Sequence, residues 1–246
     1  MKQFAIIGVG RFSRRMLEEL ADAGSEILLI DKDREVVDRY KEKVAATYIA
    51  NVLSEEVITK LVPSSVDAAI VDLGDNLEAS ILVTNYLKKH GVKRIITKAE
   101  SEQHAEILDL VGATDIIFPN REAARRIAPL LLSQLLFSYL PLSRDFAIAE
   151  IKVPGRLVGK TLIEANIRQQ HHMNVIALRK DDVAEYTYFL PDYRLLADDL
   201  LLVAGKEQDI SDFAQMELPA AREGIPGVFN RLFSRFRMPG EQKKGK

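Results

Sequence analysis

The sequence predicts an α/β fold: a six-stranded, doubly wound parallel sheet of Rossmann type, then a crossover helix and a smaller α/β domain. Three observations carry that expectation. Apolar runs short enough for buried strands alternate with amphipathic segments of helical spacing over the first 118 or so residues. The first strand runs straight into Gly8-Val-Gly10, and an acid, Asp31, closes the second strand 21 residues after Gly10. The rhythm then changes near residue 143, where alternating strand patterns of a second module begin.

Phe4–Ile7 reads as the first strand, and Arg11 opens a helix with Met16, Leu17, Leu20 and Ala21 on one side. Ile27–Ile30 is the second strand. A glycine at position 8 allows a tight exit from the strand, and Gly10 lets a phosphate approach the backbone. The helix that follows offers free N–H groups and a partial positive charge to an anion. Ser13 replaces the third glycine of the fingerprint and is small enough for close helix–strand packing. Asp31 suits ribose hydroxyls better than a 2′-phosphate, with Lys32 softening the preference.

A polar helix is expected over 34–43 and a third strand over 45–50, with Asn51-Val52 at its carboxyl end. Ser54 is placed as the cap of a short helix that Pro63 stops. Residues 68–71 form the fourth strand, ending at Asp72, read either as a polar strand-end residue facing water or as a cation ligand. Asp75 with Glu78 looks like a capping box for a helix running to Lys89, with Gly91 as its C-cap. Strands over 94–97 and 116–118 flank a helix over 102–111, and Pro119 is expected to end the sixth strand.

The nucleotide-binding domain is thus assigned to 1–120 and a long apolar helix to 121–142, ended by Pro141 and including Ile127, Leu130, Leu131, Gln134, Leu135 and Tyr139. That helix either packs between domains or joins two copies of the chain. The small regulatory domain follows over 143–216, with strands at 146–153, 173–178, 186–190 and 200–204 and helices at 162–169 and 209–216. Residues 217–246 are a basic tail: from 222 onward there are seven Lys/Arg against two acids. Val228, Leu232, Phe233 and Phe236 can share a helical face there, which makes the segment either an amphipathic membrane-surface anchor or a frayed terminus.

Composition narrows the function classes. A net charge of −2 argues against a nucleic-acid-coating protein, and the lack of cysteine removes disulfides and thiolate metal sites. His90, His104, His171 and His172 are too scattered for a metal cluster. No apolar run reaches the roughly 18–20 residues of a membrane span, and the chain enters a strand at once, so a cytoplasmic location without a secretion signal is expected.

Taken in order, Ile7-Gly-Val-Gly-Arg-Phe12, Ile30-Asp31, Asn51, Gly74–Ser80, Thr97-Lys-Ala99 and Gly112–Pro119 resemble the cytosolic regulatory subunits of Ktr/Trk-type potassium uptake systems. The resemblance spans residues 3 to about 215 and, with one copy of each domain, is closest to the Ktr type. It implies a nucleotide sensor and not an enzyme: ATP/ADP, or alternatively NAD(H), held by Gly8, Gly10, Arg11, Phe12, Asp31, Lys32, Asn51, Val52, Leu73, Gly74 and Lys98. Arg11 and Lys98 are implied near the phosphates and Asn51-Val52 beside the adenine. It also implies a homodimer assembling into a ring, an octamer by resemblance, that gates a potassium-translocating membrane subunit at the inner face of the membrane.

Two features depart from that pattern or extend it. Asn120 stands where a cation-binding glutamate is expected. An amide is a poorer ligand for a hard cation than a carboxylate, leaving Glu122 as the nearby alternative. In the second domain the resemblance implies a cyclic di-AMP pocket around Ile167, Arg168, Asn174 and Ile176. The competing class is a small NAD-dependent oxidoreductase, for which no Tyr–Lys, His–Asp or Cys–His constellation is evident.

Overall fold

A computed structural model describes residues 1–215, which divide into two compact units, one of residues 1–122 and one beginning at Ala123. The basic tail lies outside the described residues.

The first unit alternates strand and helix: β1 (Gln3–Ile7), α1 (Arg11–Asp22), β2 (Glu26–Asp31), α2 (Arg34–Tyr40), β3 (Ala46–Ile49), α3 (Glu55–Leu61), β4 (Ala68–Val71), α4 (Leu77–His90), β5 (Ile95–Lys98), α5 (Glu102–Val111) and β6 (Asp115–Ile117). All strand pairs are parallel, in the order β3-β2-β1-β4-β5-β6. The strands are apolar on both faces because helices cover both. Ala5, Ile7, Ile30, Val71, Val83 and Leu87 pack on one side, and Ile6, Leu17, Leu29 and Ile70 on the other.

Chain direction and order put a switch point between β1 and β4, the first strands of the two halves. There the connections diverge to opposite sides and leave a crevice at the carboxyl ends.

Several local expectations are corrected. Helix α4 is capped by Asn76, whose side chain accepts the Ala79 N–H at 3.0 Å, and not by Asp75. Ser54 precedes α3 without a side-chain capping bond. Pro119 opens the next helix, α6 (Pro119–Leu132), where its missing N–H costs nothing.

The larger correction concerns the second unit. The helix expected over 121–142 stops at Leu132, and β7 (Leu136–Pro141) follows. Pro141 therefore ends a strand. The antiparallel sheet runs β7-β8-β10-β9, with β8 (Phe146–Lys152), β9 (Asn174–Lys180) and β10 (Asp199–Lys206). Leu136 and Tyr139 turn inward against Ala149, Ile151 and Phe213. Ser133 stops the helix locally by donating to the Ala214 carbonyl and accepting the Leu135 N–H.

The expected helix over 162–169 is two short ones, α7 (Leu162–Ala165) and α8 (Ile167–His171), split at Asn166 in the left-handed region (φ 44°). The expected strand over 186–190 is only an isolated bridge between Thr187 and Leu178. The last described helix is α9 (Glu207–Gln215).

Candidate functional site

A cleft of about 440 Å³ opens at the β1/β4 switch point. Its floor is Gly8-Val9-Gly10. Asp31 and Lys32 form one wall with Asn51, Val52 and Leu53, while Leu73, Gly74, Asn76 and Ala79 form the other. Of the residues singled out from sequence, Gly8, Gly10, Asp31, Lys32, Asn51, Val52, Leu73 and Gly74 come together here.

Arg11, Phe12 and Lys98 do not line it. Arg11 is exposed on the first turn of α1, and Phe12 packs on the core beside Leu17. Lys98 is engaged by carboxylates: its Nζ lies 3.2 Å from Asp72 Oδ1 and 2.6 Å from Glu100 Oε1. Partial burial pulls the Lys98 pKa down, but the hydrogen bond to Glu100 and the charge of Asp72 outweigh it, so the ammonium is held above its ordinary range.

The glycine turn is shaped by both hydrogen bonding and exclusion. Gly8 has φ +82°, and a Cβ there would overlap the Asp72 carbonyl oxygen. Ser13 is fully buried, and its hydroxyl donates to the Gly8 carbonyl at 2.8 Å, so the third position of the fingerprint ties the helix to the turn. Asp31 braces the turn from the neighbouring strand. One carboxylate oxygen accepts the Val9 N–H at 2.7 Å and the other accepts the Asp33 N–H at 2.9 Å. That grip orients the carboxylate and leaves lone pairs for ribose hydroxyls.

Asp72 neither faces water nor stands free. It is 1% exposed, and its Oδ2 accepts the Ser13 N–H at 3.0 Å. Its signal in the sequence was its place, an acid ending an apolar strand opposite a glycine turn. Next to it runs a buried polar chain. The Glu100 N–H donates to His104 Nδ1 at 3.3 Å, and Nε2 lies 2.7 Å from Ser80 Oγ. Ser80 in turn donates to the Leu77 carbonyl, so Nε2 carries the proton. Burial holds the His104 pKa below its ordinary value.

Asn120 and Glu122 are exposed on the first turn of α6. No group of three or more metal-ligating side chains is present among the described residues. The second-ligand set is divided: Ile167 is buried in the core of the second unit, while Arg168, Asn174 and Ile176 are exposed. His171 is partly buried, edge-on to Phe213 at 4.8 Å, and His172 is exposed.

Residues 4–119 match the TrkA-N domain and residues 146–216 the TrkA-C domain. The Ktr system potassium uptake protein C of Bacillus subtilis is 33% identical over 217 residues, 88% of this chain and 98% of its own. The chain belongs to the Ktr potassium uptake protein family.

Its relatives include the Ktr system potassium uptake proteins A of B. subtilis and of Vibrio alginolyticus, each 30% identical over 86% of this chain and at least 95% of their own. Among solved structures, the GsuK RCK domain superposes with a TM-score of 0.60 at 19% identity, over 87% of this Ktr family chain. The GsuK channel bound to NAD gives 0.60 at 18%, over 85%. The chain spans 47% and 38% of those two structures. They share its fold. No helix among the described residues is long and apolar enough to cross a membrane.

Proposed function

We propose that this chain is the nucleotide-sensing regulatory subunit of a potassium uptake system and leaves its nucleotide chemically unchanged. The observation that carries the reading is the switch-point cleft, where a glycine turn and a braced Asp31 meet a wall from β3 suited to an adenine. Family membership supplies the context of potassium uptake.

ATP or ADP is the proposed effector, with NAD(H) as the second reading; Asp31 suits the free 2′-hydroxyl that all of them carry and disfavours a 2′-phosphate. Paired subunits form a ring, and the nucleotide biases the angle between neighbouring nucleotide domains. A membrane-embedded potassium-translocating subunit reads that angle, which also holds the ring at the inner membrane face. A nucleotide acts as an effector only through different affinities for the two ring shapes. Exposed Arg11, at the head of α1, is the side chain proposed to meet a terminal phosphate from outside the cleft. Arg11→Ala should then weaken ATP binding more than ADP binding, and equal losses would remove it from that role.

A dehydrogenase would need an acid or base beside the nicotinamide end of the cleft. Its lining holds Asp31 and Asp72 as the acids, and each accepts a backbone N–H that fixes it against the glycine turn or the head of α1. Thermal-shift titration with ATP, ADP, NAD⁺ and NADH, combined with solution mass, tests ligand and assembly together. A melting temperature indifferent to all four would sink the proposal.

A further inference from the structure

In a βα glycine turn the head of the helix is ordinarily left open for a ligand's phosphate. Here a carboxylate of the chain already stands there. Asp72 has a fully buried side chain, and its Oδ2 accepts the N–H of Ser13, the third residue of α1. A Cβ on Gly10 would overlap both carboxylate oxygens, so the group lies directly against the turn. Oδ1 is met by the Lys98 ammonium at 3.2 Å, and that balancing charge is shared with Glu100 at 2.6 Å. One ammonium thus serves two carboxylates, and these three side chains together carry a net negative charge before any nucleotide arrives.

We propose that Asp72 is a specificity-determining residue that disfavours bound nucleotides in proportion to the negative charge of their phosphates. The proposal rests on the nucleotide reading above. A phosphate that reaches the first-turn amides of α1 must either lie beside the Asp72 carboxylate or displace it from Ser13. Both cost more for a triphosphate than for the pyrophosphate of NAD⁺. Because the carboxylate is buried beneath the turn, water and salt screen it weakly.

The test is calorimetric titration of the full chain with ATP, ADP and NAD⁺, with a chelator present so that the nucleotides keep their full charge. Asp72→Asn removes the charge and retains an oxygen to accept the Ser13 N–H. It should tighten ATP about tenfold, ADP less and NAD⁺ least. Glu100→Gln, at a side chain that is 33% exposed, leaves Lys98 to Asp72 alone and should shift the three affinities in the same order by smaller factors. It also keeps the proposal testable if Asp72→Asn does not fold. Equal changes for the three nucleotides, or no change in Glu100→Gln, overturn the assignment of Asp72 and leave the nucleotide reading intact. Failure of wild type and variants alike to bind any of the three overturns the nucleotide reading itself.

Discussion

At Gly10 the backbone φ is −71°, a value any residue adopts, yet the position has no room for a Cβ because the Asp72 carboxylate lies against it. Gly8 differs, since its positive φ alone would strain any other residue. Gly10→Ala should therefore destabilise the first unit by about 1–3 kcal/mol, and adding Asp72→Ala should recover part of that loss. Urea unfolding of the single and double variants reads the coupling; strict additivity would mean the clash is imaginary. His104 gives a second residue-scale prediction. Its pKa lies below 6.5, through burial first, so the unfolded chain takes up the proton more readily. The stability contributed by the neutral ring is complete above about pH 6.5 and is lost as pH falls toward the folded-state value. His171 acts in the same direction, through burial and the nearby Arg156. The urea midpoint should fall between about pH 7.5 and about pH 5.5, and His104→Gln should make that dependence shallower.

Among the elements, the break between α7 and α8 rests on one residue. Asn166 tolerates φ 44° better than most side chains, and its amide donates to the Gln169 side chain at 3.1 Å. Asn166→Ala should cost about 1 kcal/mol, while Asn166→Gly stays nearer to wild type, as thermal melting would measure. The segment between β9 and β10 is held differently. Glu150, 6% exposed on β8, receives Arg179 Nε at 2.6 Å and the Tyr186 hydroxyl at 2.5 Å. Arg179→Ala leaves that carboxylate buried without its counter-charge and should cost about 3–5 kcal/mol. The double variant Glu150→Gln/Arg179→Met should cost clearly less; an equal loss would mean that packing, not charge, holds the segment.

For the molecule as a whole, two sheets of different kinds organise the cores of two separate units. The parallel sheet carries the cleft, so nucleotide should stabilise the first unit by mass action, by about 2.7 kcal/mol at a hundredfold excess over Kd. Calorimetric melting with and without nucleotide checks this, and a ligand that shifts only the transition of the second unit would place the site elsewhere. Ile127, Leu131 and Leu132 of α6 are exposed apolar side chains, which fits the proposal that copies of the chain associate.

Much of the first unit was legible because each strand is a short apolar run bounded by turn chemistry, and because glycine turn, helix and acid lie within one local βαβ segment. Local chemistry also identified Gly91, whose φ is +91°, and the buried Ser13. The boundary of α6 was not legible. Leu136 and Tyr139 satisfy a helical period as readily as a strand, and only pairing with β8 makes them sheet. Asp72 and Lys98 stayed ambiguous for a related reason. They lie 26 residues apart, and their partners, Ser13 and each other, meet only when β4 and β5 pair beside α1. The sequence by itself determined the order of elements and the residues of the turn, because those depend on near neighbours. Which charges meet at the cleft was decided by the tertiary structure, since such contacts join parts of the chain that local spacing cannot relate.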